Sequence, residues 1–317
     1  VYNKSKGLKM VNHPVLFETF VRVETARQVW EQIKKAQPSK LYFYSNKGRA
    51  EIPGEIERNN QIRSFIDEID WECDLHTFFR EECVDVYTSL MSSKKWIFKN
   101  EDSAIILEDD CVPSKGFFQY CDHFLDIYKD NPKIFAISGD NYTTYKPKND
   151  EDHIISRKGN VYGWATWKDR FESVDFNIEP KDLTYKAFKK HFKGLYSHCL
   201  SQFLFYKTLQ RFVHKTHCWD FAWGMSCIET NRYFVMPIKH LVKNAGIVGE
   251  HSSGNTKDVV FTMPTDLDAD YVFTNKKITT TPNNEFDRLF FNARWPICKC
   301  YERYFIYLIK KFLRRNV

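Results

Sequence analysis

The sequence has 317 residues, with 47 Lys and Arg against 41 Asp and Glu, a formal net charge of +6. Residues 286–317 hold eight basic and two acidic side chains, which leaves 39 of each sign before them and a neutral body. A nucleic-acid binder would spread phosphate-neutralising charge across its domain, so that class is excluded.

With 43% hydrophobic and 16% aromatic residues, the chain can build a large core and is not disordered. No run of eighteen apolar residues occurs, so no membrane-spanning helix is expected. The opening residues 1–14 lack the apolar stretch of a secretory signal peptide. Nine scattered cysteines without a CxxC pair are expected to be reduced, mostly buried thiols of a cytosolic protein.

In chain order, the apolar run Val15 to Val21 predicts a buried strand, and Ala26, Val29, Trp30 and Ile33 predict a helix over 25–36. A second strand is expected at 41–44, a helix at 58–66, a third strand at 73–79 and a helix at 87–98. The fourth strand, 103–107, runs directly into Glu108-Asp109-Asp110. A one-sided helix over 117–128 and a fifth strand at 134–137 follow. Beyond Gly139 the pattern gives an aromatic stretch at 162–167, helical regions at 185–213 and 219–228, and a short strand at 233–236. The Gly- and Ser-rich residues 246–254 have the composition of a lid. Alternating β and α units predict an α/β fold, a mostly parallel sheet with helices on both faces. Ligands bind such sheets beyond the carboxyl ends of the strands. No GxGxxG or GxxxxGK[ST] follows any strand, which disfavours dinucleotide and P-loop enzymes.

Glu108-Asp109-Asp110 is the sharpest chemical feature. Three adjacent carboxylates at a strand end repel one another, and hard oxygen donors suit Mg²⁺ or Mn²⁺. The competing reading is an acidic N-terminus for the helix that begins near Ser114.

Ile105 to Cys111, with Pro113 and Phe117-Phe118, resembles the metal-binding strand end of GT-A glycosyltransferases. More narrowly it resembles the bacterial sugar transferases related to N-acetylglucosaminyltransferase I. Pro14 to Arg22, Ile137 to Asn141, Gly163 to Trp167 and Trp219 to Trp223 resemble further blocks of that family in the same order. The resemblance spans about 14–253. It implies a GT-A domain over 1–285 with a Rossmann-like sheet, a nucleotide-sugar half at about 14–140 and an acceptor half at about 141–285. It also implies a nucleotide-sugar donor, UDP-sugar favoured (UDP-GlcNAc, for instance), bound Mn²⁺ or Mg²⁺, and inverting transfer to a hydroxyl of a glycan or lipid-linked glycan. Bacterial surface polysaccharide assembly would be the setting.

By the same resemblance Asp110 binds the metal, and Glu108 and Asp109 hold ribose and sugar hydroxyls. Arg22 and Arg80 face the diphosphate, and Asn46 stands where relatives often carry Asp. The residues after Arg80, Glu81-Glu82-Cys83-Val84-Asp85, depart from the family's Asn-Leu-Gly. Asp220 is the candidate general base, because direct displacement needs one carboxylate to take the acceptor proton. Trp219 and Trp223, with Trp164 and Trp167, are candidates for a sugar or acceptor pocket, with core packing as the alternative. His251 is a candidate late metal ligand, with a solvated loop histidine as the alternative. His191, His198, His214 and His217 have no HxxxH spacing and read as surface or satisfied residues.

From Tyr301 the apolar residues Tyr301, Tyr304, Phe305, Leu308, Ile309, Phe312 and Leu313 fall on one helical face, with Arg303, Lys310, Lys311, Arg314 and Arg315 largely off it. The tail 286–317 is thus expected to carry a C-terminal amphipathic helix on an anionic membrane, placing the protein in the cytoplasm at the inner face of the cell membrane. Packing on the domain or an oligomer contact are the alternatives. Two other functions share parts of this pattern. A sugar nucleotidyltransferase should show a glycine-rich phosphate loop after the first strand, where Phe20-Val21-Arg22 stands instead. A catalytically silent sugar- or lipid-binding protein has no need of the acidic cluster or Asp220.

Overall fold

The computed structural model describes residues 11–148, 151–178, 182–195, 206, 219–246, 259–274 and 278–294, and in the final stretch 298, 301–302, 304–306, 308–309 and 312. The first half alternates β1 (Val15–Thr19), α1 (Val23–Ala36), β2 (Lys40–Ser45), α2 (Glu55–Arg63), β3 (Asp74–Phe79), α3 (Val86–Asn100) and β4 (Ser103–Glu108). Next come β5 (Cys111–Pro113), α4 (Lys115–Tyr128), β6 (Ile134–Ser138), β7 (His153–Ser156), β8 (Trp164–Trp167) and α5 (Lys168–Glu172). The later elements are α6 (Tyr185–His191), α7 (Trp219–Thr230), β9 (Tyr233–Pro237), β10 (Val242–Asn244), α8 (Val259–Thr262) and α9 (Asn284–Arg294).

Eight strands form one mixed sheet in the order β3-β2-β1-β4-β8-β6-β9-β7, and β10 pairs antiparallel with β5 in a separate ribbon. The pairs among β3, β2, β1 and β4 are parallel, as is β6 with β9. Strands β8 and β7 run against their neighbours. β1 and β4 are apolar over Val15–Phe17 and Ala104–Leu107 because both of their faces are covered there. Val15 and Phe17 pack with Trp30 of α1 and Phe117 of α4. Leu16 between them packs on the other face, with Phe98 of α3, Trp219 of α7 and Phe286 of α9. Helices therefore flank the sheet on both sides, and the expected mixed α/β, mostly parallel architecture is present.

Local signals account for several boundaries. Asp85 caps α3, accepting from the Thr88 N–H at 3.0 Å, and Ser114 caps α4 through the Phe117 N–H at 3.2 Å. The helix expected at 58–66 starts earlier, at Glu55, and tightens into a 3₁₀ turn over Ser64–Glu68. The described part of the long helical region expected from 185 is α6. The chain turns soon after it, at Gly194, whose φ of +84° suits a residue without Cβ. Most of 196–213 lies outside the described residues. The short strands β5, β7, β8 and β10 and the helix α9 were not anticipated by the pattern.

Helix α9 is held by a buried ion pair. Arg157 donates to Asp287 at 2.5 Å and to the carbonyls of His191 and Lys193, at 2.7 and 2.8 Å. His191 is a satisfied core residue, with Nε2 at 2.7 Å from the Arg157 carbonyl. The six described cysteines are free, with Cys111, Cys121 and Cys227 buried. Among the described residues no helix is long and apolar enough to cross a membrane.

Burial pushes the His191 imidazole down to about 4. The unfolded chain, with a histidine near the ordinary value of about 6.5, then binds more protons than the native state between these values. Stability should fall by about 3 kcal/mol as pH drops from about 6.5 to about 4 through this residue. Denaturant titrations across that window should show the slope in the native sequence, reduced in His191→Gln.

Candidate active site

The chain lays β2 and β3 outward on one side of β1, then crosses to set β4 on the other. This places a topological switch between β1 and β4, where open α/β sheets form a ligand crevice at the carboxyl ends of the strands. Arg22 follows β1 directly and Glu108-Asp109-Asp110 ends β4, so both groups meet at the switch.

Arg22 sits at the start of α1 and reaches across. Its Nη1 donates to Asp110 Oδ2 at 2.6 Å and its Nη2 pairs with Asp109. The Phe20 N–H donates to Asp109 Oδ2 at 3.1 Å, which fastens the loop after β1 to the end of β4. Burial would lower the Arg22 guanidinium, but Asp109 and Asp110 outweigh it and hold it raised.

A second cation lies beneath the cluster. The β1–β4 register sets Glu18 beside Glu108, two carboxylates on adjacent strands. Lys94 of α3, fully buried, donates to both Glu18 oxygens at 2.8 and 2.9 Å, and Ser93 donates to the same carboxylate. Four carboxylates (Glu18, Glu108, Asp109 and Asp110) thus face two cations (Arg22 and Lys94), a formal −2 when all are ionised. Desolvation, opposed by Lys94, raises the Glu108 carboxyl, with the neighbouring acids adding to the rise. Burial also raises Asp109, against the pull of Arg22. The site is short of positive charge.

Lys94 ties this cluster to the second half of the chain. Its ammonium lies 4.2 Å from the Trp219 ring centroid, a cation–π contact at the start of α7. Trp219 stacks on Trp164 at 5.6 Å between centroids, and Trp164 meets Trp223 edge-on at 5.0 Å. All three rings are buried in the interior. Asp220, next to Trp219, is exposed at the surface, yet desolvation by the surrounding protein raises its carboxyl; the Phe221 backbone N–H, Lys158 and Lys94 pull the other way. Lys94 therefore acts electrostatically on both Glu108 and Asp220.

The ribbon of β5 and β10 closes over the other side. The Ala245 N–H donates to the Asp110 carbonyl at 2.7 Å, and a Cβ on Gly246 would stand 2.2 Å from Asp110 Oδ2. Only glycine fits there without moving the carboxylate. Among the described residues no group of three or more His, Cys, Asp or Glu side chains makes a metal cage. An open set of carboxylates completed by substrate phosphates is how Mg²⁺ is commonly held, so hard oxygen donors with unbalanced charge fit such a cation.

The remaining candidates lie elsewhere. Asn46, buried at the end of β2, donates to the Val84 carbonyl at 2.9 Å and accepts from the N–H groups of Lys47 and Val84. It binds the loop before α3. Arg80, after β3, donates to Ser92 at 3.2 Å, while its buried Nε has no partner. Trp167 packs on the opposite face from Trp164, its indole donating to the Leu125 carbonyl at 3.1 Å. His251, and His198, His214 and His217 with it, lie outside the described residues, as does most of the Gly- and Ser-rich stretch. Glu18, Lys94 and Gly246 were not singled out from the sequence. An acid inside the apolar run of β1 was the available signal for the first.

Removing one partner of a buried pair leaves an uncompensated charge and costs about 3–5 kcal/mol. Glu18→Gln and Lys94→Met should each lose roughly that much in chemical denaturation. The double variant should lose clearly less than their sum; additive losses would show the two residues uncoupled.

No protein-family model matches the chain, and no curated protein matches it. Among solved structures it is similar to 4-diphosphocytidyl-2C-methyl-D-erythritolsynthase from Anaerococcus prevotii DSM 20548, at 9% identity and a TM-score of 0.32. The alignment covers 62% of this chain and 83% of that one. A score that low carries no argument about function. The chain's own geometry gives a mixed α/β protein with an eight-stranded, mostly parallel sheet compatible with a Rossmann-like nucleotide-binding fold.

Proposed function

We propose that the chain is a metal-dependent GT-A glycosyltransferase. It would move a sugar from a nucleoside diphosphate donor, UDP-sugar favoured, to a hydroxyl of a glycan or lipid-linked glycan. The observation that carries the reading is the formal −2 of the acidic cluster at the β1–β4 switch. A bound Mg²⁺ or Mn²⁺ would supply the charge that neutralises a diphosphate leaving group.

In this reading Asp110 holds the cation, and Glu108 and Asp109 accept from ribose and sugar hydroxyls of the donor. Arg22, a third of whose side chain is open to solvent, is placed to share its guanidinium between these carboxylates and a phosphate. Asp220 takes the proton of the acceptor hydroxyl, and its raised carboxyl makes it a better base than a fully hydrated aspartate. The Phe221 backbone N–H, Lys158 and Lys94 oppose that rise. Trp219 fixes the start of α7, so that the base stands on a rigid element. The part of His251 as a further ligand belongs to the same proposal.

A second reading, nucleotidyl transfer to a sugar phosphate, uses the same cluster. The observation favouring it is the start of α1, which has no side-chain cap and an arginine beside its open N–H groups. Such a helix end suits a phosphate-rich substrate. The two readings part on products: nucleoside diphosphate from glycosyl transfer, pyrophosphate from nucleotidyl transfer.

Paramagnetic Mn²⁺ titration followed by electron spin resonance should show binding in the native protein and a loss of at least about tenfold in Asp110→Ala. Undiminished binding would remove Asp110 from the metal site. Incubation with nucleotide sugars, Mn²⁺ and glycan acceptors should release nucleoside diphosphate. Asp220→Asn should cut kcat by about 10²–10⁴ while Mn²⁺ binding stays unchanged.

A further inference from the structure

Helix α9 and the residues after it treat their apolar side chains in opposite ways. Phe286, Phe290 and Phe291 of α9 are buried, and Asp287 locks the helix to Arg157. Beyond it, the described residues from 301 to 312 have helical backbone, yet Phe305, Ile306, Leu308, Ile309 and Phe312 are exposed. Phe305 keeps 65% and Phe312 68% of its surface in solvent. Single exposed apolar residues need no explanation, but five within eight positions do. At helical spacing, Phe305, Leu308, Ile309 and Phe312 share one side.

The charge is placed with the same bias. From 295 onward the sequence has six basic residues and one acid, Glu302, a net of +5. Arg303, Lys310 and Arg314 fall opposite the apolar side at helical spacing, and Lys311 on its flank. A second copy of this chain would bring an equal positive charge against the first, and a nucleic acid would leave the phenylalanines in water. An anionic lipid surface satisfies both faces at once: acyl chains accept the phenylalanines, and headgroup phosphates accept the lysines and arginines.

We propose that residues 301–315 form an interfacial helix that docks the folded body on a membrane rich in anionic phospholipid. Residues 1–294 sum to only +1, so the attraction is concentrated in this segment, which follows the anchored helix α9. The inference is independent of the catalytic reading.

The test is co-sedimentation of the full chain with phosphatidylcholine vesicles containing about one third phosphatidylglycerol, set against vesicles of phosphatidylcholine alone. Binding should favour the anionic vesicles by about tenfold or more and weaken as salt is raised. Two variants separate the contributions. Phe305→Ser with Phe312→Ser should abolish most binding at any salt, and Lys310→Glu with Lys311→Glu should erase the preference for anionic lipid. Phe305 and Phe312 are exposed, so near-ultraviolet circular dichroism should show the folded body intact in the phenylalanine variant. Equal binding to both vesicles, or binding unaffected by the phenylalanine substitutions, would overturn the proposal. So would a dimer in sedimentation velocity that the phenylalanine substitutions dissolve, with no vesicle binding.

Discussion

Two parallel strands at the middle of the sheet end in carboxylates, and their repulsion is the constraint to which the surrounding structure is fitted. The β1–β4 register puts Glu18 and Glu108 side by side, and the turn beyond adds Asp109 and Asp110. Two cations come from two directions, Lys94 from the helix beneath and Arg22 from the loop above. Each also performs a structural task. Arg22 joins the connections that follow β1 and β4; Lys94 carries the indole of Trp219 and with it the start of α7. Burial raises Glu108 and Asp109, and two positive charges set against four negative ones do not cancel that rise.

The aromatic residues explain how such a centre is tolerated. Trp164, Trp219 and Trp223 form a continuous buried stack beside the charged groups, with Phe135 packed on Trp223 at 4.0 Å. Trp219, held in place by the other two tryptophans, covers Lys94 with polarisable surface. The three indoles belong to β8 and α7, two segments far apart in sequence and far from the carboxylates. Gly163 to Trp167 and Trp219 to Trp223 are therefore neighbours in space through packing.

Much of the first half was legible because its signals are local. β1, β2, β4 and β6 are apolar runs, α1 and α4 show one apolar face, and Ser114 marks a helix start. The later elements carry weaker signals. β5, β7, β8 and β10 are three or four residues long, too short to display alternation, and Trp-Ala-Thr-Trp of β8 reads as aromatic content rather than as a strand. The acidic cluster was legible from composition alone, since three carboxylates ending an apolar strand stand out. Its buried counter-ion was not: Lys94 looks like one of many helical lysines until the fold brings Glu18 against it. Gly246 was visible only as a loop glycine, because the carboxylate it must clear is more than a hundred positions away. The tryptophans had two readings at the sequence level, and their burial assigns the rings of Trp164, Trp219 and Trp223 to the interior.

The reversed strand β8 sets a limit on how this chain can be divided. It lies between β4 and β6, so the strand bearing the acidic cluster has its outer hydrogen bonds met by residues from beyond position 160. A fragment stopping near 140 would keep β1 to β4 and β6 and still leave three bare edges, one on β4 and both on β6. Open edges of that kind recruit strands from other molecules. Such a fragment should aggregate rather than fold as a small soluble unit, however complete its apolar runs look.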